Sequence, residues 1–255
     1  MKIRRLARLP WPILLGLLFG LGLGGYLRWQ QGRTITIPDV LPNIPVVEAP
    51  STVPTPPAAT VTIPASFTIE DVPFTPQAPF ANWDELHNEA CEEASVLMAR
   101  RYFDGERGGR IDPEVADREI YEIVDWEKAN FGKYLDTNAE ETAQILSGKY
   151  GRKVRLSTTV TVNAVKKEIA ANHLVIVPAA GRELPNPYFR QPGPWYHMLV
   201  IVGYNDSEFI TNDPGTRRGE GFRYKHADLL NAVHDWTGVA EEISTGRKVM
   251  IVVEG

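Results

Sequence analysis

Residues 196–214 read YHMLVIVGYNDSEFITNDP, and this stretch decides the fold. An apolar run from Tyr196 to Tyr204 is followed by Asn205 and Asp206, which are residue types common in tight turns. A second run then begins that is rich in residues favoured in strands. The pattern predicts an antiparallel hairpin with its turn centred near Asn205.

The hairpin brings a histidine and a carboxylate together. With this turn, His197 lies directly opposite Asp213, so their side chains share one face of the sheet. Directly opposite Cβ atoms are roughly 4.5–5.5 Å apart, which suits a carboxylate that accepts a hydrogen bond from an imidazole. A register shift of one residue would instead bring Asn212 diagonally near His197. Asp213 is the preferred partner, and Asn212 is the alternative.

The rest of the folded part divides into early helices and late strands. Asn88 is the predicted N-cap of a helix that runs through Tyr102. Further helices are predicted over 113–126, after Thr137, over 162–171 and over 226–236, and further strands over 153–158, 173–179, 221–224 and 248–254. This segregation indicates an α+β fold.

Cys91 is the only cysteine of the chain, so no internal disulfide can form. The predicted helix places Cys91 in a first turn, where the positive end of the helix dipole favours a thiolate and lowers the thiol pKa. Glu92 and Glu93 oppose that effect if they point towards the sulfur. We therefore predict that Cys91 is a nucleophile.

The first 34 residues are expected to anchor the chain in a membrane. Residues 9–27 carry no charge, and four basic residues precede them. A stretch of this length just crosses a bilayer core of roughly 30 Å, and the basic flank predicts a cytoplasmic N-terminus with the rest outside. A cleavable signal peptide is the alternative, but no small-residue cleavage motif follows Tyr26.

A proline-rich linker separates this segment from the folded domain. Residues 35–66 are rich in Pro, Val, Thr and Ala, a composition typical of an extended stalk, and the domain is predicted to span 67–255. The full chain has a net charge of -5, yet residues 1–34 hold six basic and no acidic residues. The remainder is therefore strongly acidic, which argues against a nucleic acid as partner.

Four segments, taken in order, resemble a known family: VPFTPQAP at 72–79, NEACEEASVLMA at 88–99, WYHMLVIVGYND at 195–206 and FITNDPGTRRGEGFRY at 209–224. They are similar to the papain-clan cysteine peptidases related to the bacteriocin-processing, double-glycine leader peptidases, in their stand-alone bacterial form. The resemblance implies a papain-like fold in which the nucleophile lies at a helix start packed on a C-terminal antiparallel sheet.

The resemblance also implies site roles. Cys91 corresponds to the nucleophile, His197 to the general base and Asp213 to the residue that orients the histidine. Gln77 corresponds to the glutamine that helps the Cys91 backbone amide to stabilise the oxyanion. Two features depart from the family pattern: Glu92 stands where many relatives have glycine, and the segment between Gln77 and Cys91 is longer.

The expected function is hydrolysis of peptide bonds through a Cys91 thioester by an extracytoplasmic, membrane-anchored and monomeric domain. A cell-wall peptide amidase or acyl transferase of the same chemistry and a non-catalytic peptide-binding domain are the alternatives. No cofactor or metal is expected, because the spacing of His87, Glu89, Glu92 and Glu93 matches no ligand signature. The long loop 181–195, just before His197, is expected to cover the cleft as a flap.

Overall fold

The computed structural model describes residues 63–255. The predicted anchor and nearly all of the predicted stalk lie outside the described residues. The helices are α1 (Cys91–Phe103), α2 (Pro113–Phe131), α3 (Ala139–Gln144), α4 (Val162–Ala170) and α5 (His226–Ala232). The strands are β1 (Phe67–Thr68), β2 (Val154–Ser157), β3 (Leu174–Ala180), β4 (Tyr196–Tyr204), β5 (Glu208–Asn212), β6 (Phe222–Lys225) and β7 (Met250–Val253). This mixture of helices and antiparallel strands confirms the α+β prediction.

The N-cap of helix α1 lies two residues later than predicted. Ala90 occupies the N-cap position without a side-chain hydrogen bond, so Cys91 is the first residue of the helix. The prediction that Asn88 caps α1 is wrong, because its side-chain nitrogen donates to the backbone oxygens of Trp83 and Asp84 in the preceding loop. Asn88 therefore stabilises the loop that leads into the helix, and Cys91 lies even closer to the helix end than expected.

Helix α2 shows the local signals of a well-defined helix. The carboxylate of Asp112 accepts hydrogen bonds from the N–H groups of Glu114 and Val115, and Pro113 occupies the first turn. Gly132 ends the helix with φ 74°, a left-handed conformation that glycine adopts without steric cost.

Helix α3 starts with a capping box between Asn138 and Glu141, and the chain continues in a π-helical turn over Ile145–Lys149.

The strands form one antiparallel sheet in the order β2-β7-β3-β4-β5-β6, and β1 pairs with the far end of β4. Every residue of β3 and β4 is buried. That burial explains the continuous apolar runs in their sequences, because strands covered on both faces do not alternate. Helices α1 and α4 both pack against β4, so Cys91 at the start of α1 is held against the central strand of the sheet.

The hairpin of β4 and β5 forms as predicted, but its register differs. Val200 pairs with Asn212 and Ile201 with Thr211, and a bulge at Val202 shifts the pairing towards the turn. The prediction that His197 lies directly opposite Asp213 is therefore wrong by two residues. Because side chains alternate with a period of two, the shift keeps both residues on one face and makes their contact diagonal.

Among residues 63–255, no helix is long and apolar enough to cross a membrane.

Candidate active site

Cys91 lies at the buried start of α1. Only 4% of its surface is exposed. Its Sγ lies 2.9 Å from Glu92 Oε2, which accepts the thiol hydrogen bond. Among residues 63–255 the thiol makes no other hydrogen bond. It is therefore directed at Glu92 and not at His197.

The electrostatic surroundings of Cys91 favour the protonated thiol. Burial raises its pKa well above the ordinary value, and the negative charge and hydrogen bond of Glu92 raise it further. The expectation that the helix start lowers this pKa is therefore wrong for the state described. The effect of the dipole is outweighed because Glu92 and Glu93 are both about 1% exposed and lie beneath the helix start instead of in solvent.

His197 and Asp213 form a fully buried pair. The Nε2–H of His197 donates to Asp213 Oδ1 at 2.7 Å, and the two side chains are 1% and 0% exposed. This bond fixes the orientation of the imidazole and leaves Nδ1 as the nitrogen that is free to accept a proton. The ring of Phe189 packs edge-on against His197, with centroids 5.2 Å apart.

Three further groups hold the carboxylate of Asp213. The hydroxyl of Tyr224 donates to Oδ2 at 2.5 Å, Asn186 Nδ2 donates to the same oxygen at 3.0 Å, and the N–H of Gly215 donates to Oδ1 at 2.9 Å. Burial alone would raise the pKa of Asp213, but His197 and these hydrogen bonds leave it below its ordinary value. Asp213 is therefore an anion positioned to stabilise an imidazolium.

Asn212, the alternative partner of His197, is engaged elsewhere. Its side-chain nitrogen lies 3.4 Å from the carbonyl oxygen of Val72, and its side-chain oxygen accepts from the N–H of Gly221 at 3.1 Å. The alternation of strand side chains directs Asn212 to the face opposite His197.

Asn186 and Tyr224 had no signal in the sequence, because neither is near Asp213 along the chain.

Gln77 lies beside the same turn. Its backbone N–H donates to the carbonyl of Pro214 at 2.9 Å, which docks the segment against the residues that follow Asp213. Its side-chain nitrogen donates to the backbone oxygens of His87 and Asn88 at 2.9 and 3.0 Å. Both amide hydrogens are thus engaged, so Gln77 could donate to an oxyanion only by exchanging one of these carbonyl acceptors.

A cleft of about 1050 Å³ opens between the segments that carry these residues. The loop 181–195 and the turn after Asp213 contribute to its lining, as do the loops before α1 and α3. The loop expected to act as a flap thus lines the cleft. Four of the large apolar side chains that remain exposed also line it: Trp83, Leu135, Tyr188 and Trp195.

Buried acids lie at the start of α1 and on the facing side of α2, and no local sequence pattern predicts their burial. Glu127 of α2 is fully buried beside Glu93, and among residues 63–255 no polar group other than the neighbouring carboxyl is within hydrogen-bond reach of either side chain. Burial raises the pKa of Glu127 to about 8. Burial, and then the charge of Glu127, raise the pKa of Glu93 well above its ordinary value. A proton retained between these two carboxyls lets them coexist in the core.

His87 does not join a metal site. Its Nδ1 and Nε2 lie 2.8 Å and 3.0 Å from carboxylate oxygens of Asp84 and Asp117. Across residues 63–255, no group of three or more His, Cys, Asp or Glu side chains is arranged to hold a metal ion.

Comparison with known proteins identifies the family. The model of the Peptidase_C39 like family matches residues 69–247, which is most of the chain. A solved structure of a Bacillus anthracis protein described as a C39-like peptidase aligns with 74% of this chain and 98% of its own, at 15% identity and a TM-score of 0.48. No curated protein matches the chain. The chain belongs to the Peptidase_C39 like family, a family of papain-clan cysteine peptidases, and is a cysteine peptidase-like hydrolase.

Proposed function

We propose that the protein hydrolyses peptide bonds, with Cys91 as nucleophile, His197 as general base and Asp213 as the residue that orients His197. The observation that carries this proposal is the buried 2.7 Å hydrogen bond between His197 and Asp213. It lies at the end of β4, the strand against which α1 packs, and α1 begins with the sole cysteine. A buried imidazole with a fixed carboxylate partner is suited to move a proton.

The proposed reaction starts from a thiol and not from a resting thiolate. Nδ1 of His197 takes the Cys91 proton as Sγ bonds to the carbonyl carbon of the substrate, and Asp213 stabilises the resulting imidazolium. His197 then passes this proton to the leaving amine as the C–N bond breaks, which leaves a thioester. A water molecule, deprotonated by His197, attacks the thioester and releases the acid and the thiol.

The start of α1 supplies stabilisation for the oxyanion. The first N–H groups of a helix have no intrahelical acceptor and point along the positive end of its dipole. The N–H of Cys91 is one of these groups, because Cys91 is the first residue of α1. Gln77 is the proposed second donor, provided that its side chain leaves the carbonyl of His87 or Asn88 when substrate binds.

We further propose that residues 1–34 anchor the protein and that 35–66 hold the domain, residues 67–255, away from the outer face of the membrane. The support is the uncharged stretch 9–27 after a basic flank, followed by the proline-rich composition. The domain is proposed to act as a monomer on peptide or protein substrates.

The rate of Cys91 alkylation by iodoacetamide tests the proposed pair. We expect native Cys91 to react, and His197→Ala to slow the reaction at pH 7 by at least roughly ten-fold, because the proton acceptor is lost. His173→Ala is the matched control, since His173 pairs with Glu168 outside the cleft. If alkylation requires denaturant, Cys91 is a buried structural residue. If both histidine variants react like the wild type, His197 does not serve Cys91.

A further inference from the structure

Three arginines line the His197 side of the cleft: Arg190 from the loop 181–195, and Arg217 and Arg218 from the turn that follows Asp213. All three side chains are exposed. Among the ion pairs of residues 63–255, none involves them, whereas arginines such as Arg100 and Arg247 are paired with carboxylates. The cleft thus holds three guanidinium groups without an acidic partner in the described part of the chain.

Other residues that line the cleft are acidic. Glu85 and Glu89 precede α1, and Asp136 precedes α3, and all three line the cleft. Burial and the charge of Asp136 raise the pKa of Glu89. No ion pair in residues 63–255 joins one of these acids to Arg190, Arg217 or Arg218. The arginines and the acids thus line one cleft without pairing with each other.

Aromatic rings accompany the arginine side. The guanidinium carbon of Arg218 lies 4.9 Å from the centroid of the Tyr188 ring, and that of Arg182 lies 3.2 Å from the centroid of Trp195. A guanidinium stacked on a ring keeps its N–H groups available at its edge, where they match the two oxygens of a carboxylate. This arrangement offers an anion two-pronged hydrogen bonding beside an apolar surface.

We propose that Arg190, Arg217 and Arg218 form a subsite for a carboxylate of the peptide substrate, on the His197 side of the cleft. The acidic residues that line the cleft repel the same carboxylate and thereby favour its binding at the arginines. This inference rests on the proposed peptidase function, because it assigns a substrate class to the same cleft. The carboxylate can come from an Asp or Glu side chain or from the C-terminus of a peptide, since both present the same two oxygens.

Peptide binding to the full chain carrying Cys91→Ala tests the subsite in non-ionic detergent. The probes are fluorescein-labelled decapeptides of one uncharged sequence in which each position in turn carries Glu, Gln or Lys, with either a free or an amidated C-terminus. Anisotropy titrations give each affinity. We expect the best Glu peptide, or the free C-terminus over its amide, to bind roughly ten-fold more tightly than its neutral counterpart, a difference typical of one charge-assisted contact.

The double variant Arg217→Ala, Arg218→Ala should abolish that preference, so that it binds the Glu peptides and the Gln peptides with equal affinity. Arg107→Ala is the matched control, because Arg107 is also exposed, stacks on Tyr102 and lies outside the cleft. Equal binding of acidic and neutral peptides, tighter binding of Lys peptides, or no binding overturns the inference, as does an equal loss in Arg107→Ala. The binding assay uses the Cys91→Ala chain, which lacks the thiol. Its result therefore does not depend on whether the wild-type chain hydrolyses peptides.

Discussion

At the scale of single residues, Glu92 is the unusual feature of the site. It follows the nucleophile directly in sequence, is buried, and accepts the hydrogen bond of the thiol. Burial, and then the charge of Glu93, raise the pKa of Glu92 well above its ordinary value. Glu92 therefore ionises at a higher pH than an ordinary carboxyl, and once it is ionised, its charge and the hydrogen bond that it accepts keep Cys91 in the protonated, less reactive form.

Replacing Glu92 should make Cys91 more reactive. Burial is the largest cause of the raised thiol pKa and Glu92 is the next, so Glu92→Gln removes the second cause and lowers that pKa. The alkylation rate at a fixed pH below the thiol pKa should rise several-fold, since each unit of pKa changes the thiolate fraction by about ten-fold.

The measurement is the pH dependence of iodoacetamide labelling between pH 6 and 10, read by intact mass. Glu89→Gln should have a smaller effect in the same direction, because the charge of Glu89 contributes less to the pKa of Cys91. Glu241→Gln, an exposed substitution outside the cleft, is the control. A profile for Glu92→Gln that matches the wild type would show that the carboxyl does not restrain the thiol.

At the scale of elements, the turn after β5 fixes the position of the histidine. A Cβ at Gly215 would lie 2.8 Å from Cε1 of His197 and 2.8 Å from Cε1 of Phe189. Gly215→Ala should therefore displace the imidazole, and a misplacement of about 1 Å can cost roughly 100-fold in rate. We expect the alkylation rate to fall as in His197→Ala and Tm to fall by a few degrees, because the added Cβ overpacks a buried contact. Ser207→Ala, in the exposed β4–β5 turn, is the control; normal alkylation in Gly215→Ala would refute the close approach.

The contact between α1 and α2 should make stability depend on pH. The pKa of Glu127 is about 8 in the folded chain and roughly 4.3 in an unfolded one. The folded state thus retains a proton that the unfolded state releases. Stability from this group is complete below about pH 4.3 and declines as pH rises towards 8, by up to roughly 1.4 kcal/mol per pH unit.

Glu127→Gln removes this titration. When the pH is raised from 5 to 7.5, the free energy of unfolding should therefore fall less in the variant than in the wild type. Urea unfolding at the two pH values measures the difference in the free energy of unfolding. Glu122→Gln, an exposed substitution on the same helix, should show no such change. A gain of equal size at both pH values would contradict a retained proton.

Sequence patterns predict most elements because their signals are local. The apolar runs of β3 and β4, the turn near Asn205 and the helix that starts at Pro113 all depend on neighbours along the chain. The register of the hairpin does not follow from the turn residues alone, because Tyr204 pairs with Phe209 across a longer turn and the bulge at Val202 then shifts the pairing by one residue. The prediction that Asp213 is the partner of His197 is nevertheless confirmed. Side chains alternate along a strand, so a register shift of two residues leaves a side chain on the same face of the sheet.

The surroundings of the site were not predictable in the same way. Glu92 and Glu93 read as solvent-exposed acids of a first helical turn, and their burial follows only when α2 brings Glu127 beneath α1. Likewise, Asn186 and Tyr224 reach Asp213 from a distant loop and from β6. Contacts between remote segments depend on how the elements pack, and no short-range pattern encodes them.

At the scale of the whole molecule, residues 1–34 and 35–66 are proposed to determine where the peptidase works. If 1–34 cross the membrane with the basic flank inside, protease treatment of intact cells should release the domain as a fragment that begins within the proline-rich stretch. The measurement is an immunoblot of cells and supernatant, with a known external protein as the control. A domain that stays protected while that control is digested would contradict the proposed orientation.

The central claim is that Cys91 performs peptide hydrolysis with His197. The most direct measurement incubates the purified full chain with a proteome-derived peptide library and identifies new termini by mass spectrometry, for the wild type and for the Cys91→Ala, His197→Ala and His173→Ala variants. We expect new termini with the wild type and with His173→Ala, and their loss with Cys91→Ala and His197→Ala. Cleavage that persists in Cys91→Ala, or the absence of new termini with the wild type, would contradict it.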